Sequence, residues 1–145
     1  MAAMLPAMAA AAQDADATDW IDCAGGAFFL EATYSGMRST VAGTDELDGL
    51  IRSLAAMRTL FMIASAEDSD CAMDVDETLA AVRAVSDARD AELNERADAG
   101  EDPLALLAEF GTRTSHCLED LGSDRAEAIQ TAAQAGDVPC GWETR

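Results

Sequence analysis

The sequence predicts an all-α domain: an antiparallel up-down four-helix bundle with a short fifth helix and a disulfide-tethered C-terminal tail. Three observations point there. Apolar residues recur at spacings of three and four along four long stretches, the period of a helix stripe facing a core. Half the residues are hydrophobic but only 5% are aromatic, and alanine, the strongest helix former, supplies many of them. β-branched residues are sparse, and no stretch alternates apolar and polar residues for long enough to read as a strand.

The first helix starts at a cap formed by Thr18 or Asp19 and runs to about Ser39. Trp20, Cys23, Ala27, Leu30, Tyr34, Met37 and Val41 form its seam. Gly25 and Gly26 interrupt it, each costing about 1 kcal/mol relative to alanine in a helix; close approach of another helix is the expected return. Gly43-Thr44-Asp45 then breaks the chain. The second helix opens with Asp45, Glu46 and Asp48 in its first turn, where the helix dipole favours anions. Its stripe is Leu47, Leu50, Leu54, Met57 and Phe61, and it should end near Ala66, with residues 67–70 as the connection.

The third helix spans roughly Met73 to Asp98 and stops at Gly100. Its seam (Val75, Leu79, Val82) weakens beyond Val85, where Arg83/Asp87 and Glu92/Arg96 offer exposed ion pairs four apart. Asp102-Pro103 opens the fourth helix, with proline in the first turn, where its missing N–H costs nothing. Leu107, Phe110, Thr114, Cys117 and Leu121 form its stripe, and Gly122 ends it. A fifth, short helix runs from Asp124 to Ala135 and closes at Gly136; Pro139, Cys140 and Trp142 lie in the tail.

With 145 residues there is room for one domain. Residues 13–145 are assigned to it, behind a signal-peptide-like segment at 1–12. That segment, MAAMLPAMAAAA, is apolar, uncharged and ends in small residues, as a leader does before its cleavage site. No basic residue precedes the apolar run, and the run is too short to span a bilayer. Export, to a periplasm or beyond the cell, is the expectation.

Four cysteines fit an oxidising compartment and an even pairing. They lie far apart with no C-x-x-C, so neither a redox pair nor a zinc knuckle is indicated. Cys23 sits about one turn into the first helix and Cys117 about one turn before the end of the fourth. In an antiparallel bundle those levels match, which predicts Cys23–Cys117. Cys71–Cys140 follows by elimination.

The net charge is −19, and all nine basic residues are arginine. Without lysine there is no Schiff-base amine and no P-loop phosphate clamp. So negative a surface repels nucleic acid and anionic membranes, and suits cationic peptides, divalent cations or a saline medium. An EF-hand loop begun at Asp68 fails: Met73 stands where glycine is needed and Leu79 where the bidentate glutamate belongs. His116, the single histidine, points about 100° away from its neighbour Cys117 on a helix, so adjacency makes no nucleophile pair. The serines form no G-x-S-x-G elbow, and the scattered methionines read as core filling. No catalytic residue, metal ligand or cofactor site is assigned.

One surface stands out. Phe28 and Phe29 point around the side of the first helix, while Leu60, Met62 and Ile63 surround Phe61, making the second helix apolar all round near its end. Either the fifth helix and the Trp142 tail cover this cluster, or part of it stays open for a partner or a second copy of the chain. The expected function is an exported, non-enzymatic binding or accessory protein acting through that surface. The alternative is an acidic protein sequestering divalent cations or cationic peptides.

Overall fold

The computed structural model describes residues 18–38, 40 and 45–142. The leader-like segment 1–12, the seam position Val41 and the Gly43–Thr44 break lie outside them. The described residues contain five α-helices, α1 (Trp20–Met37), α2 (Asp45–Asp68), α3 (Val75–Asp98), α4 (Pro103–Leu121) and α5 (Ser123–Gln134), then a 3₁₀ turn at Pro139–Gly141. They include no strand.

Local chemistry sets the ends. Asp19 caps α1 by accepting from the Asp22 amide. Asp74 and Glu77 form a reciprocal capping box on α3. Asp102 caps α4 ahead of Pro103. Gly100, Gly122 and Gly136 take the positive φ that ends α3, α4 and α5. α2 runs to Asp68, two residues beyond its expected end, and thereby carries Glu67 and Asp68 into the helix.

Three seams are antiparallel, as an up-down bundle requires. Along α1 and α4, Cys23 meets Cys117, Gly26 faces Thr114, and Phe29 meets Phe110 edge-on at 5.7 Å between centroids. Along α1 and α2, Trp20 stacks on Phe61, Glu31 pairs with Arg58, and Asp48 pairs with Arg38. Along α3 and α4, Arg96 reaches Glu109 and Arg113 reaches Glu92.

One relation departs from the expectation that consecutive helices are neighbours throughout. α1 packs against α2, α3 and α4, most extensively against α2, whereas α2 has no extensive backbone contact with α3 or α4. The cause is Gly25. A Cβ there would collide with Val85 Cβ and Cγ1 and lie 3.0 Å from the Val82 carbonyl oxygen. Its absence lets α3 settle directly onto α1. The middle of α1 is consequently buried on nearly every side, from Cys23 to Ala27 and again at Phe29 and Leu30.

Two apolar clusters result. The larger joins Trp20, Cys23, Phe61, Ile63, Val82, Leu121 and Ile129; the smaller joins Phe29, Leu30, Leu54, Leu107 and Phe110. α2 is long and apolar enough to span a bilayer, but its apolar half is packed inside these clusters.

Candidate functional site

The structure pairs the cysteines as Cys23–Cys117 and Cys71–Cys140. The first bridge locks α1 to α4 beside the core. The second joins the α2–α3 connection to the tail, and both of its half-cystines are exposed and take left-handed backbone, φ 60° at Cys71 and 64° at Cys140.

The apolar surface expected on α1 and α2 is not open. Phe29, Leu60, Met62 and Ile63 are buried. Phe29 turns inward onto Phe110 because α1 is enclosed by three helices. Leu60 and Ile63 are covered from outside by Ile129 and Ala133 of α5, and the tail residues Val138 and Trp142 pack on the same cluster. Phe28 is half-buried under the Arg58 guanidinium, 5.5 Å from the ring centroid. Trp142 is also half-buried. These residues serve the core.

An open groove lies between α2 and α4. Because those two helices stand apart over α1, they leave a trough whose floor is Leu30, Tyr34 and Thr114. One part, bounded at its end by α5, holds about 830 Å³ and is lined by residues such as Ala56, Leu60, Leu118 and Ala126. The second part holds about 360 Å³, with Leu50, Leu54 and Ala108 in its walls. Met57, Ser115 and Glu119 line both, so the two parts form one continuous groove. Leu50, placed on the α2 seam by its spacing, is 40% exposed because no helix covers it from the α4 side.

The wall of α4 carries small residues at helical spacing, Ala108, Gly111 and Ser115, followed by Leu118 and Glu119. A Cβ added at Gly111 would meet nothing within 4 Å, so the groove is open down to backbone depth. Glu119 and Glu127 are its carboxylates, His116 stands beside Glu119, and no arginine lines it. His116 is exposed, with Nδ1 3.2 Å from Glu119 Oε2.

Most of the described arginines are engaged elsewhere. Arg89 of α3 holds both carboxylate oxygens of Asp22 at 2.7 Å. Arg96 bonds Glu92, Glu101 and Glu109, and Arg113 shares Glu92 and Glu109, tying α3 to α4. The expected Glu92–Arg96 pair is thus one part of a larger network, while Arg83 and Asp87 form no ion pair among the described residues. Arg96 holds Glu101 and Glu109 below the usual carboxylate range. Partial burial works against ionising Glu92, yet Arg113 and Arg96 together bring it below that range as well. Arg125 of α5 bonds Asp68 and Glu67 and lies over Trp20. Its hydrogen bond to Asp68, against a smaller effect of burial and aided by the Trp20 Nε1–H donated at 2.7 Å, lowers the Asp68 pKa.

Among the described residues, no three side chains of His, Cys, Asp or Glu stand together as a metal site. Compared with known protein families, curated proteins and solved structures, the chain matches none.

Proposed function

We propose that the protein is an exported, non-enzymatic binding or accessory protein, and that its partner docks in the groove between α2 and α4. The groove carries the proposal. It is the place where an apolar helix seam of the bundle, ending in Leu50, is left without a facing helix. The binding surface is thereby moved from the buried α1–α2 cluster to the open side of the same α2 helix. Export is supported by the two disulfides, which belong in an oxidising compartment such as a periplasm or the extracellular medium.

The test is site-specific photo-crosslinking in producing cells. A photoreactive residue at Ser115, in the groove, should give a discrete adduct of the exported protein. The same residue at exposed Ala84 on α3 should give none. Adducts at Ala84, or none at Ser115, would count against this reading. The N-terminus of the exported material should begin near Gln13; a chain exported with Met1 intact would contradict the leader assignment.

A further inference from the structure

We infer that the occupant of the α2–α4 groove is a cationic amphipathic helix of another protein, an inference that rests on the docking reading above. Shape selects a helix. The α2 wall from Leu50 to Leu60 is about 15 Å long and the α4 wall from Ala108 to Gly122 about 21 Å, at 1.5 Å per residue. A helix of roughly 10–14 residues fills that length. The walls are side-chain rows at spacings of three and four, the ridges into which another helix interdigitates. Gly111, with open space where a Cβ would be, and Ser115 permit its backbone to come close. A small molecule would be a poor match, since a trough lined on three sides leaves much of such a ligand in water.

Charge selects the sign. Glu119 and Glu127 border the groove, both exposed, with no arginine among its lining residues, and the chain around them carries −19. Lysine or arginine flanking the apolar face of an incoming helix would meet these carboxylates and would be steered by the field of the whole molecule. A second copy of this chain is disfavoured by the same field, because it would bring another −19 against Glu119 and Glu127. The chain's own residues 1–12 contain no basic residue and would leave those carboxylates without a counter-charge.

The experiment uses the full disulfide-bonded protein and fluorescein-labelled 14-residue helical peptides with leucine and alanine at i, i+3, i+4 and i+7. Three peptides carry lysine, glutamine or glutamate at the remaining positions, and a fourth scrambles the lysine peptide. Anisotropy is read at low and at near-physiological salt. The lysine peptide should bind at least tenfold more tightly than the glutamine and scrambled peptides. Gly111→Leu, whose Cβ would meet nothing within 4 Å and whose side chain would extend into the groove, should weaken it at least tenfold while leaving the melting temperature unlowered. The Glu119→Gln/Glu127→Gln pair should weaken it severalfold and flatten its salt dependence. Equal binding of the lysine and glutamine peptides, both lost in Gly111→Leu, would overturn the cationic inference and leave the docking reading standing. Binding of every peptide unchanged by Gly111→Leu would overturn both. A dimer of the free protein that Gly111→Leu dissociates would assign the groove to a second copy and overturn the inference.

Discussion

Replacing Gly25 with alanine should destabilise the protein, whereas the same change at its neighbour Gly26 should not. Both glycines lie in one helix, so the intrinsic gain of alanine over glycine, about 1 kcal/mol, is common to both. The difference lies in what the new methyl meets. At Gly25 it overlaps the Val85 side chain and presses on the Val82 carbonyl oxygen at 3.0 Å. That backbone oxygen cannot swing aside as a side chain does, so α3 must move off α1. Overpacking of this kind costs typically 1–3 kcal/mol. Here it should reach or exceed the top of that range, because Cβ and Cγ1 of Val85 and the Val82 carbonyl oxygen are struck together. Subtracting the helix gain leaves a net loss of about 2 kcal/mol or more for Gly25→Ala. At Gly26 the nearest atom, Thr114 Oγ1, would be 3.5 Å away, an ordinary contact. Gly26→Ala should therefore be neutral or up to about 1 kcal/mol more stable. Urea unfolding of the oxidised proteins, followed by circular dichroism and by the fluorescence of Trp20 stacked on Phe61, measures both. A Gly25→Ala protein as stable as the parent, or less perturbed than Gly26→Ala, would refute the close crossing of α1 and α3.

Three further outcomes follow from the same geometry. Removing the Cys23–Cys117 bridge by double alanine substitution opens a closure of 94 residues beside the core and should cost about 2–4 kcal/mol in urea unfolding. Removing the exposed Cys71–Cys140 bridge should cost less, because its half-cystines are released from left-handed backbone; the reverse order would contradict this placement of the bridges. Asp68→Asn should lower the melting temperature at pH 7. The folded-state pKa of Asp68 lies below its ordinary value, so its stabilising effect is complete above about pH 4–5 and fades as pH falls through the folded pKa. The gap between parent and variant should close in acid, and a gap constant from pH 7 to pH 2 would disprove the Arg125–Asp68 contribution. Raising sodium chloride from low concentration to about 0.3 M should raise the melting temperature, since net repulsion of −19 outweighs exposed ion pairs worth about 0–1 kcal/mol each. A flat or falling series would remove repulsion from the account, and an extra gain with calcium at matched ionic strength would favour cation sequestration.

Several helix ends were legible because capping is local. Asp19, Asp102-Pro103 and the glycines at 100, 122 and 136 act within a few residues of themselves. The start of α3 was missed by two residues, because the reciprocal Asp74–Glu77 box begins the helix at Val75 and not at Met73. The Cys23–Cys117 pairing was legible as well, since helix length and an antiparallel turn are enough to match two levels. The burial of Phe29, Leu60 and Ile63 was harder, because it depends on which distant segment covers them. A signal for α1 was nevertheless present: the run Cys-Ala-Gly-Gly-Ala-Phe-Phe-Leu at 23–30 has no charge and small residues on several sides, as a helix enclosed by neighbours should. The groove was hidden for a different reason. Ala56 on α2 and Ala108, Gly111 and Ser115 on α4 form small-residue rows, and such rows look the same in sequence whether the facing helix is present or missing. Only the way α2, α3 and α4 share the surface of α1 decides that α2 and α4 stand apart.

Amide chemical-shift mapping of the isotopically labelled protein, titrated with the lysine-bearing peptide, tests the docking groove most directly. The account predicts saturable changes concentrated at Ser53, Ala56 and Met57 of α2 and at Gly111, Ser115 and Glu119 of α4, with exposed positions of α3 such as Ala80, Ala84 and Asp87 unmoved. Changes spread evenly over the acidic exposed faces of α3 and α5, or centred anywhere outside the α2–α4 trough, would contradict it.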